Sequence, residues 1–461
     1  MTTATTLARP NLDGLDEAAV RALAGDAPDW LLERRLTATA RYAEQAWPDS
    51  RADEFWRSTP FAKRFRVDLP VAEGSSATAP ASLASELELD AARVTIVDGA
   101  VTDIHLPAAL ADQGVVVTDL TTAAAGDHAE LVRTHLGSLT TSSEEGSGRD
   151  EDRTITVNDA AWTAGVFIHV PAEVEAVAPI GVHVHVTEEG AHLPRVLAVL
   201  GHHAKAIVYL EHTSQDGVEA LVDEVVEFIA GDGATLDTVS LQEWGEGVRH
   251  LALQKVAAHR DSTVRQLSVT VGGTTVRLRP EVDLLGPGAS CRPLGLYFAD
   301  GGQWFDLQPY VRHLAPHATS NILFKGALQG RSRTVFRGNI YVNRDAVGTS
   351  TDETNRSLIL SPGARADSTP FLEIECADIT AGHGSATGQI DARHLFYLEA
   401  RGIPREQALR LLVFGFFREI LVEADLPGVE ERALSHIERE VASVDVSTVA
   451  VSDAALREEL A

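Results

Sequence analysis

Small residues stand at Ala178, Ala206, Ala234, Ser262, Ala289, Ala318 and Ala346, each opening a strand-like segment, at steps of 28, 28, 28, 27, 29 and 28 residues. An even step of this size, kept over so many units, belongs to repeat architectures. From 154 to about 380 the segments "GVHVHV", "AIVYLEH", "TLDTVSLQ", "TVRQLSVTV", "NILFKGAL" and "TVFRGNIYV" follow one another with almost no helical periodicity. Many alternate apolar and polar residues, the period of a strand with one buried face. Two or three short strands per step, stacked coil on coil, make a β-helix whose inward side chains form one long core. A β-sandwich is the competing architecture, but its strands seldom keep so regular a step. The expected fold is therefore mainly β, with a parallel β-helix over 154–390 and the small residues at turn and stacking positions.

The flanks read differently. Residues 1–60 form a helical region, with Pro28 near the first turn of "DAPDWLLERRLTATARYAEQAW" and Trp56 as a packing anchor. Residues 61–153 mix short strands and helices and end in a polar loop, "SLTTSSEEGSGRDEDR" at 138–153. Residues 391–461 form a C-terminal helical domain. Its first helix stops at Gly402, and Pro404 opens "PREQALRLLVFGFFREILVEA". That second helix is apolar on nearly all sides, so it is buried in its own fold or against a partner.

Composition narrows the function. Across 461 residues the net charge is −28, from 67 acidic and 39 basic residues, and lysine occurs only at Lys63, Lys205, Lys255 and Lys325. Such a surface repels phosphate backbones and anionic lipids, which argues against nucleic acid and membrane partners. The start "MTTATTLARPNLDG" lacks a basic and then apolar leader, and "LLVFGFF" falls far short of the roughly 20 residues that span a bilayer. Two cysteines, Cys291 and Cys376, form no CxxC pair. A reducing cytoplasm is the expected location.

Catalytic signatures are missing. There is no GxxxxGK[ST] phosphate loop, so intrinsic P-loop ATPase activity is not expected, and there is no GxSxG elbow and no glycine-rich dinucleotide turn in a βαβ context. His183 and His185, two apart on one strand with Glu188 and Glu189 beyond, resemble half of a cupin metal motif. The second half is missing, and a polar strand face is the preferred reading. His202, His203, His313 and His317 are read as hydrogen-bonding residues near turns. Cys376 follows the strand "FLEIE", and His383 lies seven residues on, in the turn "AGHGSA". Thiolate and imidazole suit iron–sulfur clusters and soft metals, but two residues make at most half a site. On residue type alone they are a core cysteine and a surface histidine, and no metal site is assigned.

"FLEIECADITAGHGSATGQIDARHLFYLEARGIPREQALRLLVFGFFREI" resembles the SufB/SufD family of the SUF iron–sulfur cluster assembly machinery, on its SufD side. "PHATSNILFKGALQGRSRTVFRGNIYVNRDAVGTSTDETNRSLILSPGARADS" continues the match, and "PDWLLERRL" and "FWRSTPF" extend it to the N-terminus. The resemblance implies a right-handed parallel β-helix followed by a helical domain. It implies a noncatalytic scaffold that pairs with a SufB-like paralogue and a SufC-like ABC ATPase, with no tightly bound cofactor and a transient cluster shared with the partner. A homodimer in isolation is also compatible with it. His383 would be the histidine at the paralogue interface, with Gly382 and Gly384 leaving room for close approach. The helices would offer Phe396, Tyr397, Arg401, Gly402, Ile403, Phe414, Phe416 and Phe417 to the ATPase. The His-Gly pair favours SufD over SufB, where His-Glu is usual, although Ser385 interrupts the family's Gly-Ala-Thr run. The family's Cys-x-His triplet is here Ala381, Gly382, His383. Cys376 sits five residues before the missing cysteine, a shift that can reverse a side chain's facing on a strand, so the cysteine's role is not carried over. The rival readings are a SufB-type scaffold, which predicts a fuller ligand set, and a secreted polysaccharide-active β-helix enzyme, which predicts an acidic strand face.

Overall fold

The computed structural model describes residues 9–140, 152–442, 449 and 451–452. Residues 141–151, most of the polar loop expected at 138–153, lie outside the described residues. Strands from successive coils stack into two sheets. One sheet runs from the hairpin Ala92–Val97 and Ala100–His105 through Ile180–Val186, Lys205–Ser214, Thr235–Glu243, Thr263–Thr270, Ser290–Ala299, Thr319–Leu328 and Thr349–Ile359 to Ile379–Asp391 and Val451–Ser452. After the hairpin every pairing in it is parallel. The facing sheet contains Ala164–Val170, Pro194–Leu200, Ala220–Ala230, Val248–Ala258 and Thr275–Leu284. Beyond these its strands split into pairs such as Trp304–Leu307 and Tyr310–His313. This is the expected parallel β-helix.

The register accounts for the repeat. Lys205, Thr235, Thr263, Ser290, Thr319, Ser350 and Thr380 lie opposite one another, one per coil. Ala234, Ser262, Ala289 and Ala318 fall one residue before this column and are fully buried, because a neighbouring coil lies directly on each of them. Ala206 falls one residue past Lys205, and Ala346 three residues before Thr349. Turns of unequal length shift these two out of the column while the step of about one coil survives.

Alternation divides each strand between two cores. Inward residues such as Val208, Leu236, Val264, Ile322 and Phe324 join one continuous lumen cluster. Outward residues of the first sheet, among them Val239, Leu241, Leu267 and Leu294, pack instead beneath the C-terminal helices. The N-terminal region covers the other sheet. There the fully buried Arg195 reaches Asp159 at 2.6 Å and Glu227 at 2.5 Å, and Arg277 lies 3.7 Å over the Trp56 ring.

The expected border at 153/154 is not a border in the structure. Ala92–Val97 is already a rung of the first sheet, and Val116–Asp119 pairs antiparallel with Ala164–Val170. Residues Arg153–Ala161, read as the start of the strand region, form a helix whose residues from Thr154 to Ala161 are all buried, capped by Asp152. A helix sandwiched between two layers shows little amphipathic contrast, so its period is hard to see in sequence.

At the other end Asp391 caps the helix Ala392–Glu399 by accepting from the Arg393 amide at 2.7 Å. Gly402, at φ +82°, turns the chain as expected, and Pro404 precedes the helix Arg405–Ala424. Lys325, nearly buried on the sheet, donates to the Phe416 carbonyl at 3.0 Å and pairs with Glu419, locking that helix to the coils. Arg432 of the helix Val429–Ala442 holds Glu243 at 2.9 Å. Among the described residues no helix is long and apolar enough to cross a membrane.

Candidate functional site at the open end of the coils

The strand Ile379–Asp391 is the last full rung. One edge bonds to Thr349–Ile359 along its length, whereas the other meets Val451–Ser452 only at Ile390 and Asp391. From Ile379 to Gln389 the outer edge is unpaired among the described residues. It carries small residues, no proline and no lysine, so none of the usual devices that blunt a strand edge are present.

His383 lies in the middle of this strand, not in a turn. The glycines at 382, 384 and 388 suggest a turn, but the continuous parallel ladder overrides that preference. A Cβ on Gly382 would meet an Asp352 carboxylate oxygen at 2.7 Å, while one on Gly384 would meet nothing within 4 Å. The space at Gly384 is therefore open to whatever approaches from outside.

Register brings a second group to His383. It pairs with Glu353 of Thr349–Ile359, and Glu353 pairs with the lumen residue Ile322. Alternation puts Glu353 and His383 on the lumen side, with Glu353 fully buried and His383 exposed because no further coil covers it. Neither carboxyl oxygen of Glu353 has a hydrogen-bond partner among the described residues. Burial, reinforced by Asp352, pushes its pKa up to about 8, so it is largely a neutral acid at pH 7. An imidazole over a poised carboxyl offers nitrogen and oxygen donors and one exchangeable proton. Gly338 makes room for this acid, since a Cβ there would come within 2.0 Å of Glu353 Oε1. Gly338→Ala should therefore push the carboxyl out of its place and lower stability by roughly 1–3 kcal/mol, read by denaturant unfolding.

Sequence reading missed Glu353. The available signal was a charged residue at an inward position of the alternating "TSTDETNRS". Cys376, in the connection that leads into this rung, is buried in the lumen cluster, so the structure gives it a packing role.

The residues proposed for ATPase docking separate into two groups. Phe396 and Tyr397 are 71% and 56% exposed, with the Arg401 guanidinium 4.5 Å over the Tyr397 ring, and Gly402 is also exposed. Ile403, Phe414 and Phe416 are half-buried against the outer core, and Phe417 is fully buried. Phe417 therefore cannot touch a partner and belongs to the protein's own core. Leu411 and Val422, 51% and 58% exposed on the same helix, are apolar residues that face out instead.

The other histidines bear out the polar-face reading for the first pair. His183 and His185 both bond to Thr213 Oγ1, at 2.7 and 2.8 Å. His313 bonds to Ser320 at 2.9 Å.

Family models match nearly the whole described body. Residues 13–182 match the SufBD protein N-terminal region, and 183–416 match the SufBD core domain of SUF-system FeS cluster assembly. The chain is 39% identical over 306 residues to an iron–sulfur cluster assembly SufBD family protein of Mycobacterium tuberculosis, covering 64% of this chain and 75% of that protein. It is 28% identical over 422 residues to the iron–sulfur cluster assembly protein SufD of Bacillus subtilis, covering 90% and 94%. A SufBD family protein of Staphylococcus epidermidis is 25% identical over 334 residues, 72% of this chain and 70% of that one. With coil stack, helical end and family models in agreement, the chain belongs to the SufBD family of the SUF iron–sulfur cluster assembly system.

Proposed function

We propose that this chain is a SufD-type scaffold with no catalytic activity of its own, which meets a SufB-like paralogue at its open rung and a SufC-like ATPase at its C-terminal helices. The observation that carries this reading is the unpaired edge from Ile379 to Gln389, with His383 exposed above the buried Glu353. A strand edge with free amides and carbonyls and small side chains is fitted to pair with another strand. Pairing there would close the lumen end and bring the partner's ligands to His383. The likeness to the Bacillus subtilis SufD, over nearly the full length of both chains, supports the SufD assignment. The sequence has no phosphate-binding loop, which fits ATP hydrolysis in a partner. A cluster formed at this joint would be transient cargo.

Co-expression with SufB-like and SufC-like partners tests the site. The His383→Ala variant should still co-purify with both, because its side chain is exposed and makes no part of the core. It should lose the visible absorbance of an assembled cluster. A full cluster yield from His383→Ala would remove His383 from the site.

A further inference from the structure

Inside the coils, far along the chain from His383, lies a second group of ligand-type side chains. His212, Glu224 and His250 come from three different strands, Lys205–Ser214, Ala220–Ala230 and Val248–Ala258, and all three are at most 1% exposed. Their strand neighbours of the same parity, such as Leu210, Val222, Val226 and Ala252, are lumen residues, so the trio faces the lumen. We infer that this trio is a binding site for a divalent first-row transition ion, ferrous iron being the physiological occupant, filled through the acidic cleft that Trp244 closes.

The donor atoms of the three side chains lie within 4.8 Å of one another. His212 Nε2 is 2.8 Å from Glu224 Oε1, and His250 Nε2 is 3.9 Å from Glu224 Oε2. Ions of this class take nitrogen and oxygen ligands at about 2.0–2.2 Å, so neighbouring donors stand roughly 3–3.5 Å apart, and shifts of a few tenths of an ångström complete the set. Two imidazoles and one carboxylate with open positions are the donor set of non-haem ferrous sites.

The second observation is what the trio lacks. Neither ring nitrogen of His250 has a hydrogen-bond partner among the described residues, and neither has His212 Nδ1. Buried polar atoms are rarely left unpaired, and an ion between them would satisfy His250 and balance the buried carboxylate. Gln254 donates to Glu224 Oε2 at 3.4 Å and to Ser240 at 2.9 Å, which orients the carboxylate from behind.

An entry path lies alongside. A cleft of about 620 Å³ opens over the coil turns, and Trp244 lines it. The same indole, 3% exposed, stands 5.5 Å from both imidazole rings, so it separates cleft from trio. Asp216, Glu219, Glu246, Asp300 and Glu440 line the cleft against Arg249, which draws cations to it. The site rests on this geometry alone, and the choice of iron over zinc rests on the cluster-assembly reading.

Cobalt(II) is the probe, titrated anaerobically into the purified full chain without partners. One ion per chain should bind, with a visible d–d band and a raised melting temperature. His250→Gln should weaken binding by more than the roughly 10–100-fold that the loss of an outer-shell partner costs, with circular dichroism reporting its fold. X-ray absorption on the loaded wild type, which needs no variant, should show two imidazole ligands. The control His202→Ala, at an exposed histidine, should load normally. No bound cobalt, an undiminished site in folded His250→Gln, or a shell without imidazole overturns the inference. Ferrous iron titrated anaerobically into the metal-free chain should bind at one ion per chain and slow cobalt loading when in large excess, and no ferrous binding overturns iron as the occupant. None of these readouts involves His383 or cluster yield, so the scaffold reading stands or falls separately.

Discussion

Phe417→Ala should destabilise the protein by roughly 3–5 kcal/mol, whereas Phe396→Ala and Tyr397→Ala should leave stability within about 0.5 kcal/mol of wild type. Phe417 is fully buried in the core that joins the helix Arg405–Ala424 to the outer face of the coils, with its ring 5.2 Å from Phe416. Truncation there opens a cavity between two rigid layers, which collapse poorly around it. Phe396 and Tyr397 cover little of the protein itself, so their effect should appear in capture of a SufC-like ATPase. Denaturant unfolding and a pull-down, run on the same three variants, separate the two roles. Unchanged capture by the exposed pair would end the docking assignment, and an unchanged unfolding midpoint in Phe417→Ala would contradict the packing. Deletion of 391–461 is a poor substitute, because it would bare Val239, Leu241, Leu267 and Leu294 and report on folding alone.

Glu353→Gln should flatten the pH dependence of stability. The folded carboxyl titrates near 8 against 4.5 for an ordinary glutamate, because burial disfavours its charge. Its folded pKa is the higher one, so the stabilisation is complete below about 4.5 and is lost as pH rises through about 8. The loss attributable to this group has an upper bound of about 5 kcal/mol. Glutamine has a similar shape and cannot ionise. Unfolding free energies at pH 4.5 and pH 9 should therefore fall in the wild type by a few kcal/mol more than in Glu353→Gln. Parallel curves for the two proteins would mean that the buried acid is ionised in the fold.

The coil architecture was legible because each turn of the winding spends nearly the same number of residues. Ala234, Ser262, Ala289 and Ala318 mark that count directly. Where turns lengthen, as around Ala206 and Ala346, the count stayed close while the register slipped. His383 was found, but in the wrong element, since its flanking glycines argue for a turn and only the neighbouring strand makes it a rung. The helix Arg405–Ala424 was read correctly as apolar all round. Which of its faces met the coils depended on Lys325 and the strand surface beneath, so Phe417 was placed outside when it belongs inside. Glu353 left only a charge at an inward position as a local trace, and its pairing with His383, like the trio His212, Glu224, His250, was hidden. Residues 12 or more positions apart become neighbours only when the winding superimposes them, and no local pattern records that superposition.

The bare rung at Ile379–Gln389 also bears on how the protein behaves in solution. An uncovered ladder is satisfied by water or by another chain, and any association that covers it adds free energy that depends on concentration. A melting temperature measured on the isolated chain should therefore climb with protein concentration and climb again when a counterpart is supplied. Abundance in the cell would then follow the ratio of the two chains, with the surplus one the first to be degraded.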